Sequence, residues 1–311
     1  MFIAEQEIAG YLTYAALIPA IRQALIDYSA GLVDQPPRTI LRAGNAEGAN
    51  NGWFAVMPVI AGDVMAVKTV TFYPGNAEQG IATHLATIEL LRRSTGEPLA
   101  VMDGRLITEM RTAAVCAAAF TGLAPLHFAA PPTTLGILGS GVQAHAHIQA
   151  FRHVWPELAD VRIWSRTPPN AQRLAEATRA RAVSIEEAAA ADVVLTVTSA
   201  PQPVLHGRWL RPNALVFAVG ATGASLRELD DEVMHSSYVV AESRSCVERE
   251  AGDVRFSGAT VAAEIGDILA RPESATIPRD RRVLFKSVGM AIEDLTGARL
   301  VWEARAASPQ S

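Results

Sequence analysis

The residues Gly136-Ile-Leu-Gly-Ser-Gly-Val-Gln-Ala144 (GILGSGVQA) decide the fold that this sequence predicts. An apolar run leads into a G-x-G-x-x-A pattern, and the residues after the pattern favour a helix. In such a turn Gly139 permits the tight bend, Gly141 lets the backbone approach a pyrophosphate, and Ala144 allows close helix–strand packing. The amino end of the helix adds N–H donors and a positive dipole. The pattern predicts a dinucleotide-binding loop with contact residues Gly139, Gly141, Val142 and Gln143.

The sequence around this loop favours a doubly wound sheet. Glycine-rich turns between a strand and a helix also occur without ligands, so the wider pattern matters. From residue 133 onward, short apolar runs alternate with helix-like stretches, which indicates a parallel sheet covered on both faces. We therefore predict an α/β protein with a Rossmann-type doubly wound parallel sheet. The apolar runs are TTLGILGS (133–140), VRIWSRT (161–167), DVVLTVTSA (192–200), ALVFAVGAT (214–222) and YVVAES (238–243).

The end of the second predicted strand indicates which dinucleotide binds. An NAD site places an acidic residue about 20 residues past the fingerprint, to hold the ribose hydroxyls. This chain has Ser165-Arg166-Thr167 there and no acid. Arg166 can hold a 2′-phosphate with its planar fork, while Ser165 and Thr167 can donate hydroxyl groups. The cluster predicts NADP(H), with NAD(H) as the weaker possibility; the alternative is an exposed arginine at a strand end.

Composition limits the classes of protein. A chain of 311 residues, half of them hydrophobic, is long enough for two domains. A net charge of −5 at pH 7 argues against non-specific nucleic-acid binding. No uninterrupted run of about 18 apolar residues predicts a membrane span, and the first residues do not resemble a signal peptide, so we expect a cytoplasmic location. Cys116 and Cys246 make neither a disulfide framework nor a zinc site, and no metal is expected.

The residues before the fingerprint predict helices and antiparallel strands. Residues 13–32 have apolar side chains at helical spacing, with Thr13 as the cap and Gly31 as the stop. The dipeptide Gly62-Asp63 separates two strand-like runs and predicts a hairpin. A helix is expected at about 109–122, and a last helix at 286–306 with Met290, Leu295, Ala298 and Val301 facing inward. The strand-like runs are 38–43, 53–61, 64–74 and 99–104.

Lys68 is the candidate catalytic residue. It is the only charged residue between Val64 and Tyr73, in a strand predicted to be apolar on both faces. A buried lysine needs a partner or a chemical purpose, although a lysine can also extend along a sheet edge to reach water. Of the 27 basic residues only Lys68 and Lys286 are lysines. A retained lysine can do what arginine cannot, which is to release a proton near neutral pH.

Three further side chains before the fingerprint are candidates for a site. Arg111 is predicted to open an alanine-rich helix, where a cation opposes the helix dipole unless an anion lies nearby. Pairing with Glu109 on the surface is the alternative for Arg111. Arg38 lies at a strand start and could equally be a surface residue. His84 is the most informative of the seven histidines.

Six motifs fall in order over nearly the whole chain: MPVIAGDVMAVKTVTFYPGN, GEPLAVMDGRLITEMRTAAV, LGILGSGVQAHAH, VRIWSRT, AVGATGASLRELDDEV and LFKSVGMAIEDL. With these motifs the chain resembles the ornithine cyclodeaminase/mu-crystallin family. The resemblance implies a substrate-binding and dimerisation domain of α+β type at 1–122, completed by a C-terminal helix at 287–311, and a Rossmann NADP-binding domain at 123–286. It implies a homodimer, and it places Arg38, Lys68 and Arg111 at the amino- or imino-acid substrate. Further candidates for cofactor contacts are Thr83, His84, Arg111, Thr112, Thr198 and Ser287.

One departure from the family pattern indicates the branch. In the cyclodeaminases a catalytic aspartate follows the glycine of the fourth Rossmann strand, whereas this chain has Val219-Gly220-Ala221-Thr222. The hydroxyl of Thr222 stands in the acid's place and would line the substrate pocket. Together with the SRT cluster, this resembles the ketimine reductase branch, which reduces cyclic imino acids with NAD(P)H.

We therefore expect NADPH-dependent reduction of Δ1-pyrroline-2-carboxylate to L-proline and of Δ1-piperideine-2-carboxylate to L-pipecolate. Lys68 is expected to protonate or hydrogen-bond the imine nitrogen, and Arg38 and Arg111 to hold the carboxylate. Three alternatives are an ornithine cyclodeaminase, an alanine dehydrogenase-type enzyme, and a non-catalytic NADPH-dependent ligand-binding protein.

Overall fold

The protein is described by a computed structural model that covers residues 1–43 and 52–308. The chain forms two compact units: residues 1–111 with the segment that begins at Met290, and Thr112–Gly289. In the sequence-based division the first segment ends at 122 and the last begins at 287. The difference arises because no proline- or glycine-rich linker marks either change of unit; a continuous helix passes through residue 111.

The first unit contains an antiparallel sheet with one parallel pair. In the described residues the strand order is β1-β7-β6-β5-β4-β2, with β3 also paired to β4 and the β1–β7 pair parallel. The predicted hairpin is confirmed, since β4 and β5 pair from Ala61 and Val64 outward across Gly62-Asp63. The strands are β1 (Phe2–Ile3), β2 (Val33–Asp34), β3 (Thr39–Ala43), β4 (Gly52–Ala61), β5 (Val64–Phe72), β6 (His84–Arg92) and β7 (Pro98–Asp103).

The second unit contains the parallel sheet that the fingerprint predicted, and the predicted fold class is confirmed. Among the described residues the strand order is β10-β9-β8-β11-β12-β15-β13-β14, with every pair parallel. The order reverses between β8 and β11, the position where doubly wound sheets bind nucleotides. The strands are β8 (Thr134–Leu138), β9 (Asp160–Trp164), β10 (Arg181–Ala182), β11 (Val193–Thr196), β12 (Leu215–Ala218), β13 (Ser237–Ala241), β14 (Val261–Glu264) and β15 (Arg282–Lys286).

Helices pack against strands of both sheets. Helix α11 packs against α2 and against β4, β5 and β6 of the first sheet. The helices of the described chain are α1 (Glu5–Tyr11), α2 (Tyr14–Ser29), α3 (Arg105–His127), α4 (Val142–Val154), α5 (Pro168–Thr178), α6 (Ile185–Ala189), α7 (Asp231–Ser236), α8 (Arg244–Glu250), α9 (Gly252–Ser257), α10 (Ile265–Ala270) and α11 (Ala291–Ala307).

Two helix starts differ from the prediction. Helix α3 begins at Arg105 instead of about 109, so Arg111 lies in its second turn and does not open the helix. Helix α11 begins at Ala291, because Lys286 completes β15 and residues 287–290 form a loop. The four inward positions predicted for this helix, from Met290 to Val301, are all buried. The last three residues of the predicted C-terminal helix lie outside the described residues.

Helix α3 is long and apolar enough to cross a membrane by length and composition. However, 67% of its most apolar window is buried inside the structure, which is the pattern of a core helix. Its central residues from Ala113 to Ala119 are fully buried, and Cys116 lies among them.

Gly136 sits where strand β8 meets helix α6, and it provides a test of the second unit. A Cβ at this position would lie 1.8 Å from the carbonyl oxygen of Ala188, so helix α6 must move to admit it. We predict that Gly136→Ala lowers the free energy of unfolding by at least about 1–3 kcal/mol, the usual cost of overpacking. Urea denaturation measures the loss.

The matched control is Gly10→Ala. Gly10 lies in helix α1, and its added Cβ would meet no atom within 4 Å. This change should be neutral or stabilising by up to about 1 kcal/mol, because alanine favours helix. A Gly136→Ala protein as stable as the wild type would contradict the packing described for β8 and α6.

Candidate functional site

The fingerprint loop has the geometry that a dinucleotide site requires. Strand β8 ends at Leu138, and Gly139 follows with φ +133°, a backbone conformation that favours glycine. A Cβ at Gly139 would also lie 2.8 Å from Val197. Gly141 is the N-cap of α4 and supplies no side-chain cap, and a Cβ there would meet no atom within 4 Å. The amino end of a 13-residue helix therefore faces open space.

Polar groups near this loop fit the same ligand. The Ser140 hydroxyl donates to Ser165 Oγ at 2.8 Å, which joins the fingerprint loop to the segment after β9. Arg166 and Thr167 are exposed there. Among the residues that the structure describes, Gln143 Oε1 has no hydrogen-bond partner although it is buried, which is costly unless a ligand donates to it. These residues fit the diphosphate and ribose of a dinucleotide.

The other candidate cofactor residues of this unit follow β11, β12 and β15. Thr198, after β11, donates its N–H and its hydroxyl to Glu228. Ser287, after β15, donates its hydroxyl to Glu242 at 2.6 Å. Thr222, after β12, is exposed. Strand β12 is the fifth strand of its sheet in chain order and not the fourth, because the short strand β10 was missed in the sequence.

The candidate substrate residue Lys68 belongs to a buried ion cluster in the first unit. Lys68 lies in the middle of β5 with 3% of its surface exposed, between Met57 of β4 and Ile88 of β6. Its Nζ lies 2.5 Å from Asp294 Oδ2 on helix α11. Lys68 is thus buried as predicted, and it does not extend to water. It alternates with half-buried neighbours, because only the face that meets α11 is fully covered.

Arg111 belongs to the same cluster. Its Nε donates to Asp294 Oδ1 at 3.0 Å, and its Nη1 donates to Glu293 Oε2 at 2.6 Å. Arg111 is 5% exposed, so its contacts with these carboxylates are buried, and it is not the solvated surface residue of the alternative interpretation. Two cations and two anions are therefore packed together, which offsets the cost of removing each charge from water.

The cluster shifts the pKa values of its members. Burial lowers the pKa of Lys68 to about 8; Asp294 opposes this shift and Arg111 adds to it. For Asp294 burial favours the protonated form, but Arg111 and Lys68 outweigh burial and hold its pKa below the usual value. The Lys68 ammonium is therefore able to release a proton close to neutral pH, next to a carboxylate that stays ionised.

Two of the remaining candidates, His84 and Arg38, interact electrostatically with this cluster. His84 opens β6, and burial together with the charges of Lys68 and Arg111 lowers its pKa to about 4, so it is neutral at pH 7. Arg38 is half-buried before β3, and its charge contributes to the lowered pKa of Lys68. Thr83 is half-buried, and its carbonyl accepts the N–H of Tyr73. Thr112 follows Arg111 in helix α3 and is half-buried.

Sequence reasoning missed Glu293 and Asp294. Both carboxylates are buried, at 0% and 1% exposure, in the first turn of α11. The available signal was a pair of acids in the apolar run MAIEDL, because adjacent buried acids require cationic partners. The described residues contain no group of three or more His, Cys, Asp or Glu side chains able to hold a metal ion.

A doubly wound sheet with a fingerprint loop, together with a second unit in the same chain, is typical of nicotinamide-dependent oxidoreductases. Comparison with known proteins identifies the group. The family model described as "Ornithine cyclodeaminase/mu-crystallin family" matches residues 1–308. The chain belongs to this family, and the predicted resemblance is confirmed.

Three similar proteins cover almost the whole chain. Mouse ketimine reductase mu-crystallin is 38% identical over 97% of this chain and 96% of its own. A Δ1-pyrroline-2-carboxylate/Δ1-piperideine-2-carboxylate reductase of Azospirillum brasilense is 34% identical over 96% of this chain and 94% of its own. The structure of a Thermococcus litoralis Δ1-pyrroline-2-carboxylate reductase with NADH and L-proline has a TM-score of 0.90 and 31% identity, and covers 98% of this chain and 97% of its own. The predicted enzyme class is confirmed: the chain belongs with oxidoreductases that act on C=N bonds.

Removal of the Asp294 charge tests the cluster. Asp294→Asn leaves Lys68 and Arg111 without a shared counter-ion, and we predict a loss of about 3–5 kcal/mol in the free energy of unfolding, as for a broken buried ion pair. Chemical denaturation at pH 7 measures it. Asp63→Asn is the control, because Asp63 pairs with Arg299 at 3.0 Å while its side chain is 75% exposed.

The control should lose less than about 1 kcal/mol, as exposed pairs do. Equal losses in the two variants would show that burial of the Asp294 cluster has no energetic consequence.

Proposed function

We propose that the protein reduces the C=N bond of cyclic ketimine acids with NADPH, converting Δ1-pyrroline-2-carboxylate to L-proline and Δ1-piperideine-2-carboxylate to L-pipecolate. The observation that carries the proposal is the buried Lys68, which pairs with Asp294 at 2.5 Å beside the guanidinium of Arg111. Relatives with these substrates in their names support it. NADPH, when bound, supplies the hydride that reduces C2 of the substrate.

Lys68 supplies the proton in this proposal. An imine nitrogen that gains an electron pair must be protonated, because it otherwise carries an unstabilised negative charge. General acids work best when their pKa is close to the working pH, and burial lowers the pKa of Lys68 to about 8. Asp294 fixes the position of the ammonium and keeps it partly protonated at neutral pH, since its negative charge raises the pKa of Lys68.

Arg111 and Arg38 bind the substrate carboxylate. The bonds from Arg111 Nε and Nη1 to Asp294 and Glu293 fix the plane of its guanidinium before substrate arrives. A preorganised cation holds an anionic ligand at a low entropic cost. His84, neutral at pH 7, leaves Lys68 as the proton donor of this cluster.

The 2′-phosphate of NADPH is assigned to Arg166, with Ser165 and Thr167 as hydroxyl donors. Arg166 is exposed beside the fingerprint loop, and the segment contains no acid that would repel a phosphate. The loop residues Gly139, Gly141, Val142 and Gln143 are assigned to the diphosphate, and Thr83, Thr112, Thr198, Thr222 and Ser287 remain predicted contacts.

We also propose a homodimer. On strand β3, which pairs with β4 along one side, the consecutive residues Ile40 and Leu41 are 53% and 57% exposed. Adjacent exposed apolar side chains on a strand favour contact with another chain. The cytoplasmic location expected from the sequence stays a prediction.

NADPH oxidation with a panel of imino acids tests the proposed reaction. The cyclic substrates should be reduced faster than open-chain imines formed from pyruvate and ammonia, and ornithine with NAD should release no appreciable ammonia. Ammonia release near the rate of imine reduction would instead assign the chain to the cyclodeaminases. Faster reduction of the open-chain imine would favour an alanine dehydrogenase-type enzyme.

Lys68→Arg separates an enzyme from a binding protein. The variant keeps a positive charge but does not readily release a proton, so we predict that it folds, binds NADPH and loses at least about 100-fold in single-turnover imine reduction. Lys68→Ala should lose at least as much. A melting curve and an NADPH titration for each variant separate loss of chemistry from loss of fold. Near-normal turnover in folded Lys68→Arg would remove Lys68 from the mechanism.

Arg166→Ala tests the choice of cofactor. Loss of a charge-assisted phosphate contact should weaken NADPH by about 1.5–3 kcal/mol and leave NADH almost unchanged. Arg211→Ala is the control, since this exposed arginine pairs with Asp192, which precedes β11. Equal weakening of both dinucleotides, or a wild type that prefers NADH, would contradict the NADPH assignment.

A further inference from the structure

Glu228 is a fully buried carboxylate in the loop between β12 and α7, with 0% of its surface exposed. Its Oε1 accepts the N–H of Thr198 at 2.6 Å and the hydroxyl of Thr198 at 2.7 Å. Its Oε2 accepts the hydroxyl of Thr196 at 2.9 Å. The same oxygen accepts the N–H of Gly220 at 2.8 Å and that of Ala221 at 3.1 Å. These five donors satisfy both carboxylate oxygens.

The donors require the ionised form of Glu228. Backbone N–H groups can only donate, and one of them reaches Oε1 while two reach Oε2. Burial is the largest effect and raises the pKa of Glu228 above its usual value, while the charge of Lys286 and the bonds from Thr198 offset part of this rise. Both carboxylate oxygens of Glu228 are therefore occupied by hydrogen bonds. Glu228 does not substitute for the catalytic aspartate of the cyclodeaminases, whose position Thr222 occupies.

Glu228 joins two loops at the carboxyl ends of the strands of the parallel sheet. Thr198 follows β11, and Gly220 and Ala221 follow β12, so the carboxylate links the carboxyl ends of two adjacent strands. The loops touch: a Cβ at Gly220 would lie 2.1 Å from the carbonyl oxygen of Thr198. Glycine is required there because no side chain fits between them.

A second layer of charge holds Glu228 in place. Asp253, also 0% exposed, accepts the N–H of Glu228 at 2.8 Å and that of Leu229 at 3.0 Å through Oδ1. Its Oδ2 accepts from Lys286 Nζ at 2.8 Å, and this ammonium also donates to the Ala221 carbonyl at 3.4 Å. Lys286 ends β15, the neighbour of β12. The network therefore connects the ends of three consecutive strands of the sheet.

The three strand ends that this network connects lie on one side of the strand-order reversal between β8 and β11. The fingerprint loop and Arg166 follow β8 and β9, on the side that receives the adenosine phosphates. A doubly wound sheet binds the second mononucleotide across the reversal, and in this sheet β11, β12 and β15 lie on that side. The loops that Glu228 joins are thus those available to the nicotinamide half.

We propose that Glu228 is a positioning residue for the nicotinamide half of the dinucleotide: it sets the spacing of the loops after β11 and β12, and Asp253 and Lys286 hold it in place. This inference rests on the proposed dinucleotide binding. A positioning role requires that loss of Glu228 affects the nicotinamide half and spares the adenosine half. A merely structural role lowers the stability of the unit and affects both halves alike.

Glu228→Gln is the test variant, because it keeps the size of the side chain and turns one acceptor oxygen into a donor that faces N–H or hydroxyl groups. The matched control is Asp192→Asn. Asp192 accepts the N–H and hydroxyl groups of Thr133 and Thr134, but it precedes β11 and lies at the amino ends of the strands. Each variant removes a carboxylate that accepts hydrogen bonds from several donors. Glu228 lies at the carboxyl ends of the strands and Asp192 at the amino ends of the same sheet.

Calorimetric titration measures two ligands on each folded protein. One is the dinucleotide that the wild type binds more tightly, NADPH or NADH, and the other is the matching adenosine fragment without the nicotinamide ribose and ring, which is 2′-phospho-ADP or ADP. In Glu228→Gln we expect the dinucleotide to bind at least about 10-fold more weakly, with the fragment within about 2-fold of wild type. In Asp192→Asn both affinities should stay within about 2-fold, while the melting temperature falls.

Equal weakening of dinucleotide and fragment in Glu228→Gln, or no change in either, would overturn the positioning role. If Glu228→Gln does not fold, Thr196→Val decides by the same titration: it removes one hydroxyl donor to Glu228 and should weaken the dinucleotide more than the fragment. Equal effects on the two ligands in Thr196→Val would overturn the proposal as well. Binding is measured without an imino acid, so failure of the proposed reaction leaves this result unaffected.

Discussion

The ion pair between Lys68 and Asp294 is the contact on which the chemistry of the first unit depends. It joins the middle of strand β5 to the first turn of α11, and both side chains are at most 3% exposed. The same carboxylate binds Arg111, so one anion places two cations at a fixed separation. A buried cluster of this kind adds little stability compared with apolar packing, and its benefit lies in a fixed geometry and a shifted pKa. The proposed reduction of an imino acid needs a proton donor beside a fixed guanidinium, and Lys68 and Arg111 have this arrangement.

Both lysines of the chain have the same arrangement. Lys286 is 0% exposed and pairs with Asp253 at 2.8 Å, as Lys68 pairs with Asp294. The other basic residues are arginines, many of them exposed in surface ion pairs. A lysine ammonium is a compact point charge that approaches a single carboxylate, whereas a guanidinium presents a planar fork. In the first unit the ammonium is the proposed proton donor, whereas in the second it bonds Asp253 and the Ala221 carbonyl, which follows β12.

Local signals were sufficient for much of the fold. The fingerprint predicted β8, the turn at Gly139 and helix α4, and Gly62-Asp63 predicted the β4–β5 hairpin. The strand β6 was missed although a turn with Gly96 and Pro98 follows it, because its sequence, HLATIELLR, is rich in leucine, alanine and glutamate, which favour a helix. The site was half predicted. Lys68 stood out as a lone charge, but its partner Asp294 is distant in the sequence, and a helical acid gives no local sign of the strand that it will face.

The position of Arg111 shows the same limit. Its predicted position at the start of an alanine-rich helix suggested an anion nearby. Two anions do bond Arg111, but they come from α11, and Asp294 lies 183 residues after Arg111 in the chain. Pairings at this distance depend on the packing of α11 against β4, β5 and β6. The spacing of apolar residues predicts which face of α11 packs against the sheet. It does not predict which polar residues on that face form ion pairs with other elements.

The most direct test of the central claim is the pH dependence of single-turnover imine reduction in the wild type and in Asp294→Asn. Lys68 acts in its protonated form, and its pKa of about 8 lies below the ordinary value for lysine. The wild-type rate should therefore be full below pH 8 and fall as the pH rises through about 8. Removal of the Asp294 charge lowers the pKa of Lys68 further, so the fall should move to lower pH in the folded variant. A fall at the same pH in both proteins would contradict the account, because it would assign the proton to the substrate iminium or to water instead of Lys68.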